Sequence, residues 1–252
     1  MTTGPASARA QVLVAADVLT VDTGELIALD AADAHHLGRV LRLGSDEVVT
    51  ATDGAGAWRS CRLVVDAPAG GRRRDGGSAL IAVGPVLHVA APAPLVTVAF
   101  APVKGDRPEW VVQKLTEIGV DRIVVIEAER SVVRWDGDRV TRNLERLRSA
   151  SREALCQCRR VHLPEILGPF RATDLATALG ETVVFAEPGS SGVPCLDVPT
   201  VAIGPEGGWS ASELGAVPTI DLGPTTLRAE TAALVAGSLL CALRSGTVRH
   251  QT

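Results

Sequence analysis

Two similar blocks near the end of the chain constrain its fold more than any other feature. In each block a short apolar run stops at a Gly-Pro pair and a helical pattern follows. The first run is Thr200–Ile203 before Gly204, and the second is Pro218–Leu222 before Gly223. We therefore expect strand, glycine-rich turn and helix to occur twice, with main-chain amides converging at the turns, where glycine permits close approach of a ligand.

The turn after the first run carries a helix start signal. Ser210 and Glu213 have the Ser-x-x-Glu spacing of a capping box, which places a helix just past the glycines. A Gly-Pro-x-Gly-Gly turn alone is more often only a turn. The second block strengthens the interpretation, because Leu227-Arg228-Ala229-Glu230-Thr231 precedes a long alanine-rich helical pattern.

The motifs IGPEGG and LGxxxLRxET resemble the cofactor loops of the RsmE family, in the SPOUT superfamily of knotted RNA methyltransferases. The resemblance implies an α/β fold with a deep trefoil knot, S-adenosylmethionine as the cofactor, and methylation of N3 of a uridine in 16S ribosomal RNA. It also implies the small ribosomal subunit as a partner and a homodimer. Periodicity alone would not propose a knot, because threaded chains are very rare.

The first 90 residues have the pattern of a small β-barrel. Short strand-like runs are separated by turn signals such as Asp53-Gly54-Ala55-Gly56. Between them, the segment from His36 to Leu43 matches an H-x-x-x-V-L-R-L pattern that resembles the PUA-like RNA-binding domain of the RsmE family. We therefore predict a PUA-like domain at 1–90 and a SPOUT domain at 91–252, with the knot and cofactor site at about 183–245.

From Leu95 onward, strand and helix patterns alternate, which favours a parallel sheet. After the first strand, Asp106, Pro108 and Glu109 satisfy the rules for a helix start. The KGDRxE string around Lys104 and Arg107 is also similar to the RsmE family. These two basic residues follow the carboxyl end of a strand, where open α/β sheets build their sites.

Composition bears on the class of partner. The net charge of −4 argues against a nucleic-acid binder, yet nine arginines lie between Arg130 and Arg160, and a local basic surface is what contacts phosphates. The alternative explanation for the same count is a genome whose base composition favours arginine codons. The five cysteines lack paired C-x-x-C spacing, so neither a zinc site nor a disulfide framework is indicated. No run approaches a membrane span, and we expect a cytoplasmic protein with no metal.

The chemistry of uridine methylation selects the candidate catalytic residues. The ring nitrogen must lose a weakly acidic proton, so Arg228 is expected to stabilise the uridine anion, and Glu206 or Glu230 to take the proton. Alternatively, Glu206 orients its loop and Glu230 balances the charge of a helix start. SPOUT enzymes hold the cofactor mostly through main-chain atoms, and the residues expected at that site are Glu187, Ile203, Gly204, Gly207, Leu222, Gly223 and Leu227.

The expected RNA-binding residues are basic or polar and lie in three regions. Glu153, Gln157 and Arg160 have i, i+4 and i+7 spacing at the end of a helical pattern, and this spacing resembles a family motif. The alternative is that Glu153 and Gln157 only brace the helix. The RNA-binding candidates are Arg39, Arg42, Lys104, Arg107, Arg130, Gln157 and Arg160.

Two other functions fit parts of the sequence, and a third lacks its expected motif. A SPOUT methyltransferase acting on transfer RNA or large-subunit RNA would share both cofactor motifs. A non-catalytic RNA-binding or ribosome-assembly factor would keep the fold, although retention of Arg228 argues against it. A Rossmann nucleotide enzyme lacks support, since no G-x-G-x-x-G follows the first strand of the α/β region.

Overall fold

The computed structural model describes residues 8–67, 77–103 and 107–249. The chain forms two compact units, the first from 1–91 with 155–163 and the second from 92–154 with 164–252. The sequence predicts a boundary near residue 90 but gives no sign that 155–163 groups with the first unit. The described residues exclude Lys104, Asp106 at the expected helix start, and the arginines Arg72 to Arg74, which the glycine-rich sequence around them predicts to lie in a loop.

The first unit contains a mixed six-stranded sheet in the part of the chain that is described. The strand order is β1-β3-β4-β5-β2 with β6 paired to β4, and β1 pairs with β3 in parallel while the other neighbours are antiparallel. Short helical segments lie between the early strands. The elements are β1 (Ala10–Leu13), α1 (Ala16–Leu19), β2 (Leu26–Ala28), α2 (Ala31–His35), a π-helical turn (His36–Val40), β3 (Val48–Thr52), β4 (Ala57–Ala67), β5 (Gly77–Ala82) and β6 (Leu87–His88).

Alternation of apolar residues builds the core of this unit. Val49 and Ala51 on β3 are fully buried, as are Leu63 on β4 and Leu80 on β5. The sequence predicts strands at 11–14, 48–51, 58–65 and 80–83, and they are confirmed as β1, β3, β4 and β5 with bounds shifted by at most three residues. Strands β2 and β6 were missed, because they span only 3 and 2 residues and such short runs carry too little periodicity to recognise.

The second unit is built on a parallel sheet with the order β12-β10-β11-β7-β8-β9. Every strand pairing recorded among its described residues is parallel, as the alternating pattern predicts. The elements are β7 (Thr97–Phe100), α3 (Arg107–Ile118), β8 (Arg122–Glu127), α4 (Asp138–Cys158), β9 (Glu165–Arg171), α5 (Leu175–Leu179), β10 (Val184–Ala186), β11 (Thr200–Ile203), α6 (Ala211–Leu214), β12 (Thr219–Ile220) and α7 (Ala229–Arg244).

Helix α7 packs closely against α3 because a glycine faces the contact. A Cβ atom at Gly237 would lie 2.9 Å from side-chain atoms of both Leu115 and Val120. Ala233 and Ala236 on the same helix are fully buried. The alanine-rich composition of α7 therefore serves burial within the unit. Within the described ranges, no helix has the length and apolar character to cross a membrane.

Candidate active site

A cavity of about 310 Å³ lies at the carboxyl ends of β10, β11 and β12. This volume is at the lower end of the range of small-molecule sites, about 300–1,000 Å³. Because these strands are parallel, the segments that follow them meet at one edge of the sheet. We call this space the cofactor cavity, and its lining residues are Ala186, Glu187, Pro188, Ile203, Gly204, Pro205, Glu206, Gly208, Trp209, Asp221, Leu222, Thr225, Thr226, Leu227, Arg228, Ala229 and Ala232.

Most of the expected cofactor residues line this cavity. The structure brings Glu187, Ile203, Gly204, Leu222 and Leu227 together in its wall. The other two, Gly207 and Gly223, lie on the same loops but outside the lining. The assignment of all seven residues as cofactor-binding residues remains a prediction.

The shape of the first turn depends on Trp209. Its side chain is 5% exposed, stacks on Phe185 with ring centroids 4.3 Å apart, and donates its indole N–H to the Ala186 carbonyl over 3.0 Å. A Cβ atom at Gly204 would lie 3.0 Å from this indole ring. Glycine at 204 therefore allows the ring to close one side of the cavity.

The predicted capping box at the start of α6 is confirmed, and it does more than cap. The Ser210 hydroxyl accepts from the Glu213 N–H, and the Glu213 carboxylate accepts from the Ser210 N–H over 2.8 Å. The same carboxylate, only 5% exposed, also accepts from the Glu129 N–H over 2.7 Å. Glu213 thus ties the Gly-rich turn to the segment after β8.

A second bond joins these two segments. Arg130, expected to contact RNA, donates from its guanidinium to the Gly207 carbonyl over 3.1 Å. The side chain is exposed, so this bond leaves other guanidinium donors available. The structure assigns Arg130 a bracing contact, and its RNA role remains a prediction.

Asp221 joins the two outer loops of the cavity. One carboxylate oxygen accepts from the Gly189 N–H over 2.9 Å and the other from the Gly223 N–H over 3.1 Å. The Asp221 N–H donates in turn to the Gly192 carbonyl over 2.9 Å. Hydrogen bonds from the amides of Gly223 and then Gly189 hold the pKa of Asp221 below its ordinary value of 3.8.

Two of the three catalytic candidates line the cavity. Arg228 precedes α7 with an extended backbone, and its exposed guanidinium has no hydrogen-bond or ion-pair partner among the described residues. Glu206 is exposed on the Gly-rich turn. Glu230 does not line the cavity, and its Oε1 lies 3.4 Å from a guanidinium nitrogen of Arg107. Its Oε2 is buried without a hydrogen-bond partner among the described residues.

The other RNA-binding candidates lie on different elements. Arg39 and Arg42 are exposed in and just after the π-helical turn of the first unit. Arg107 is about half exposed, with 52% of its side chain accessible. Lys104 lies outside the described residues.

The expectation that Arg160 continues the helical face of Glu153 and Gln157 is wrong. Helix α4 ends at Cys158, and Arg159 takes a left-handed conformation with φ 60°. The side-chain amide of Gln11 donates to the Arg160 carbonyl over 2.6 Å. Arg160 therefore does not occupy position i+7 of the helix, whereas Gln157 remains on the helix and exposed. RNA binding by these residues remains a prediction.

Sequence reasoning missed several lining residues. Trp209 follows the recognised IGPEGG motif, and a large aromatic residue beside two glycines was the signal that could have identified it. Asp221 gave no comparable signal, because its partner Gly189 is 32 positions away and the contact depends on strand order. Thr225 and Thr226 fall at variable positions of the second motif.

Comparison with known proteins is consistent with this geometry. The profile described as RNA methyltransferase domain matches residues 91–241, and the one described as RNA methyltransferase PUA domain matches residues 29–66. The chain is 32% identical over 234 residues to ribosomal RNA small subunit methyltransferase E of Mycobacterium bovis, covering 85% of this chain and 86% of the relative. The relative of the same name in Bacillus subtilis is 24% identical, with 87% and 91% covered.

Solved structures show the same fold. A putative methyltransferase of Legionella pneumophila, in complex with bound SAM, superposes with a TM-score of 0.77 at 27% identity, covering 92% of this chain and 96% of the other. A SAM-bound ribosomal RNA small subunit methyltransferase E of Neisseria gonorrhoeae gives a TM-score of 0.73 at 23% identity, covering 94% and 97%.

Proposed function

Because this chain belongs to the RNA methyltransferase family that includes ribosomal RNA small subunit methyltransferase E, we propose that it transfers the methyl group of S-adenosylmethionine to N3 of a uridine in 16S ribosomal RNA. One observation carries the proposal. The cofactor cavity has the size of a small-molecule site, and the Arg228 guanidinium in its wall has no partner among the described residues. An enzyme that makes a uridine anion needs such a cation to stabilise the charge as it forms.

The cavity fits the cofactor chemically. Ile203, Trp209 and Leu227 offer apolar surface for a flat base, and the carboxylates of Glu187 and Asp221 in the same wall suit a cation. S-adenosylmethionine supplies a methyl group on a positively charged sulfur, and leaves as its neutral thioether once the methyl group has moved. The acidic wall would therefore favour the charged cofactor over its product.

Arg228 would stabilise the anion that forms when uridine N3 loses its proton. The charge spreads onto the neighbouring carbonyl oxygens, which accept from guanidinium N–H groups. The Arg228 carbonyl accepts from the Ala232 N–H over 2.8 Å, so its main chain is fixed in the first turn of α7. The N-terminus of this 16-residue helix adds partial positive charge at the same place.

Of the two candidate bases, Glu206 has the better position. It lines the cavity on the Gly-rich turn, whereas Glu230 lies outside the lining and pairs with Arg107. The proton of N3 would pass to the Glu206 carboxylate directly or through a water molecule, and the N3 lone pair would then form the bond to the methyl carbon. Glu230 would instead fix Arg107 beside the start of α7.

The topology supports a trefoil knot. After β10 the chain forms β11 on one side of it and then β12 on the other side, and α7 returns to contact β7 and β11. The segments after β10 and β12 are joined through Asp221, so the chain that leads into α7 runs beside an earlier loop. Threading of α7 through that loop would give the knot that the RsmE resemblance implies.

A homodimer and a cytoplasmic site of action belong to the same proposal. A second copy would cover a surface of α3 and α7 that is formed by half-buried Ile118, Cys241 and Ala242 and by exposed Ser238. Sedimentation equilibrium of the purified protein would give twice the monomer mass. A ribosomal substrate places the enzyme in the cytoplasm.

The function is tested by offering ribosomal subunits to the purified protein with methyl-labelled S-adenosylmethionine. Subunits are prepared from a strain lacking this gene, so that the target is unmodified. Label is expected in small subunits or their naked RNA and absent from large subunits and transfer RNA. Label only in large-subunit RNA or transfer RNA would contradict the proposed substrate, and cofactor binding with no transfer to any RNA would favour a binding factor.

A further inference from the structure

A second cavity, of about 210 Å³, lies beside the carboxyl end of β7 and shares no lining residue with the cofactor cavity. Its apolar floor is formed by Val103 after β7, Pro108 in the first turn of α3 and Leu147 on α4, all of them buried. Trp135, in the segment before α4, forms part of the wall. We call this space the Trp135 pocket.

The wall also carries polar groups that suit a ligand. The side chains of Trp135 and Asn143 are both partly exposed, and neither has a hydrogen-bond partner among the described residues. Beside them, the Glu109 carboxylate pairs with the Arg146 guanidinium at 2.6 Å, with 22% and 53% of the two side chains exposed. The pocket therefore offers an aromatic ring, an amide, a carboxylate and a guanidinium around an apolar floor.

This set of groups matches the chemistry of a nucleobase. A base is flat and apolar on its faces, and its edge carries both donors and acceptors, which amide and carboxylate groups can read. Unpaired bases stack on aromatic side chains irrespective of sequence. Exposed Arg134, Arg139 and Arg142 lie on the same segment and helix, where they can contact the adjoining phosphates.

The position of the Trp135 pocket relative to the cofactor cavity follows from the sheet. Strand β11, which ends at the cofactor cavity, is the direct neighbour of β7, and the two are parallel. Adjacent strands lie about 4.8 Å apart, so the two cavities open side by side at one edge of the sheet. The segment after β8 reaches both, because Arg130 contacts the Gly-rich turn at Gly207 and Trp135 borders the second pocket.

We propose that the Trp135 pocket binds an unpaired nucleotide of the RNA substrate, with the base against Trp135 and its edge at Asn143. This contact holds the strand in register while a second nucleotide enters the cofactor cavity. The inference rests on the proposed function, since it assigns a further contact with the same RNA. The contact between the base and the Trp135 pocket is expected to contribute to RNA affinity independently of contacts with the charged phosphates.

The test measures the affinity of the purified protein for a 16S ribosomal RNA transcript over a series of KCl concentrations. The variants are Asn143→Ala and Trp135→Leu, with Trp110→Leu as the matched control, because Trp110 is 44% exposed on α3 and lies outside the pocket. We expect about tenfold weaker binding for Trp135→Leu and about threefold for Asn143→Ala. The dependence on salt stays as in the wild type, because no phosphate contact is lost. Trp110→Leu binds as the wild type does.

Asn143→Ala keeps the experiment decisive if Trp135→Leu loses stability. The Asn143 side chain has no hydrogen-bond partner in the described part of the chain, so a purely structural role predicts unchanged binding. Wild-type affinity of Asn143→Ala, or a shallower salt dependence in either variant, would overturn the inference. If the wild-type protein methylates 16S RNA and both variants bind it normally, only the Trp135 pocket assignment fails. If the wild-type protein does not bind the RNA, the proposed function fails with it.

Discussion

The Gly189 N–H donates to the Asp221 carboxylate over 2.9 Å, and this bond joins two loops that are 32 positions apart in sequence. Gly189 follows β10 and Asp221 follows β12, so the bond joins the loops that follow two neighbouring strands at the cofactor cavity. A loop held in its binding conformation before the ligand arrives loses less entropy on binding. The bond therefore preorganises the cavity.

Asp221→Ala is expected to weaken S-adenosylmethionine binding about five- to twentyfold, because it removes the acceptor of two main-chain hydrogen bonds. Isothermal titration calorimetry measures the change directly. Asp197→Ala is the matched control, since Asp197 is exposed on the segment between β10 and β11 and its carboxylate accepts no hydrogen bond from the described residues. Equal affinity of the Asp221 variant and wild type would show that the loops are held by other contacts.

The same residue sets a pH dependence whose sign follows from its lowered pKa. The carboxylate is favoured in the folded state, so its contribution to stability is complete above the ordinary value of 3.8 and is lost as the pH falls through the lower folded pKa. The Tm difference between wild type and Asp221→Asn should therefore be constant from about pH 8 to pH 5 and shrink below about pH 4. A difference that grew on acidification would contradict the assigned hydrogen bonds.

Gly204→Ala is expected to weaken cofactor binding by about tenfold or more, because the new Cβ atom would lie 3.0 Å from the Trp209 ring and displace it. The displaced ring would lose its stacking on Phe185 and its bond to the Ala186 carbonyl. Fluorescence titration with the cofactor reports the loss. Gly44→Ala is the control, since nothing lies within 4 Å of a Cβ atom at that position.

Glu213→Gln is expected to reduce the free energy of unfolding by about 1–3 kcal/mol. The buried Glu213 carboxylate accepts from two main-chain N–H groups, those of Ser210 and Glu129, and an amide can accept from only one of them without reorienting. Urea denaturation measures the change. Glu117→Gln, which alters a surface pair with Lys114, should cost less than about 1 kcal/mol. A similar cost for both variants would mean that Glu213 does not brace the Gly-rich turn.

Arg228→Ala is expected to lower the single-turnover methylation rate about 10²- to 10³-fold while leaving S-adenosylmethionine affinity within about twofold. The guanidinium has no partner among the described residues, so its removal breaks no structural bond. Arg171→Ala, an exposed change at the end of β9, serves as the control. Wild-type turnover by the Arg228 variant with normal cofactor binding would remove Arg228 from the catalytic assignment.

Local signals in the sequence are enough to predict the main elements of the second unit. Gly204 marks the end of β11, and the Ser210 and Glu213 spacing marks the start of α6, because strand ends and helix caps depend on neighbouring residues. Contacts between loops that are far apart in sequence could not be predicted. The bond between Asp221 and Gly189 requires the strand order, and the bond from Arg130 to Gly207 requires the position of the segment after β8.

The position of Arg160 after α4 could not be predicted from the spacing of residues along the helix. The sequence predicts the helix end at Cys158 correctly, but the i, i+4, i+7 spacing extends to Arg160, which lies beyond that end and after the positive φ of Arg159. The change of direction is accompanied by the bond from the Gln11 side chain to the Arg160 carbonyl. Gln11 lies 149 positions earlier in the chain, so no local pattern contains this information.

The central claim is methylation of uridine N3, and it is tested most directly by identifying the modified nucleoside. Small-subunit RNA from a strain lacking this gene is incubated with the protein and S-adenosylmethionine, digested to nucleosides and separated by liquid chromatography with mass spectrometry. The account predicts 3-methyluridine at about one residue per RNA, formed by the wild-type protein and nearly absent with Arg228→Ala. A ribose-methylated nucleoside or a different methylated base, formed at the same stoichiometry, would contradict it.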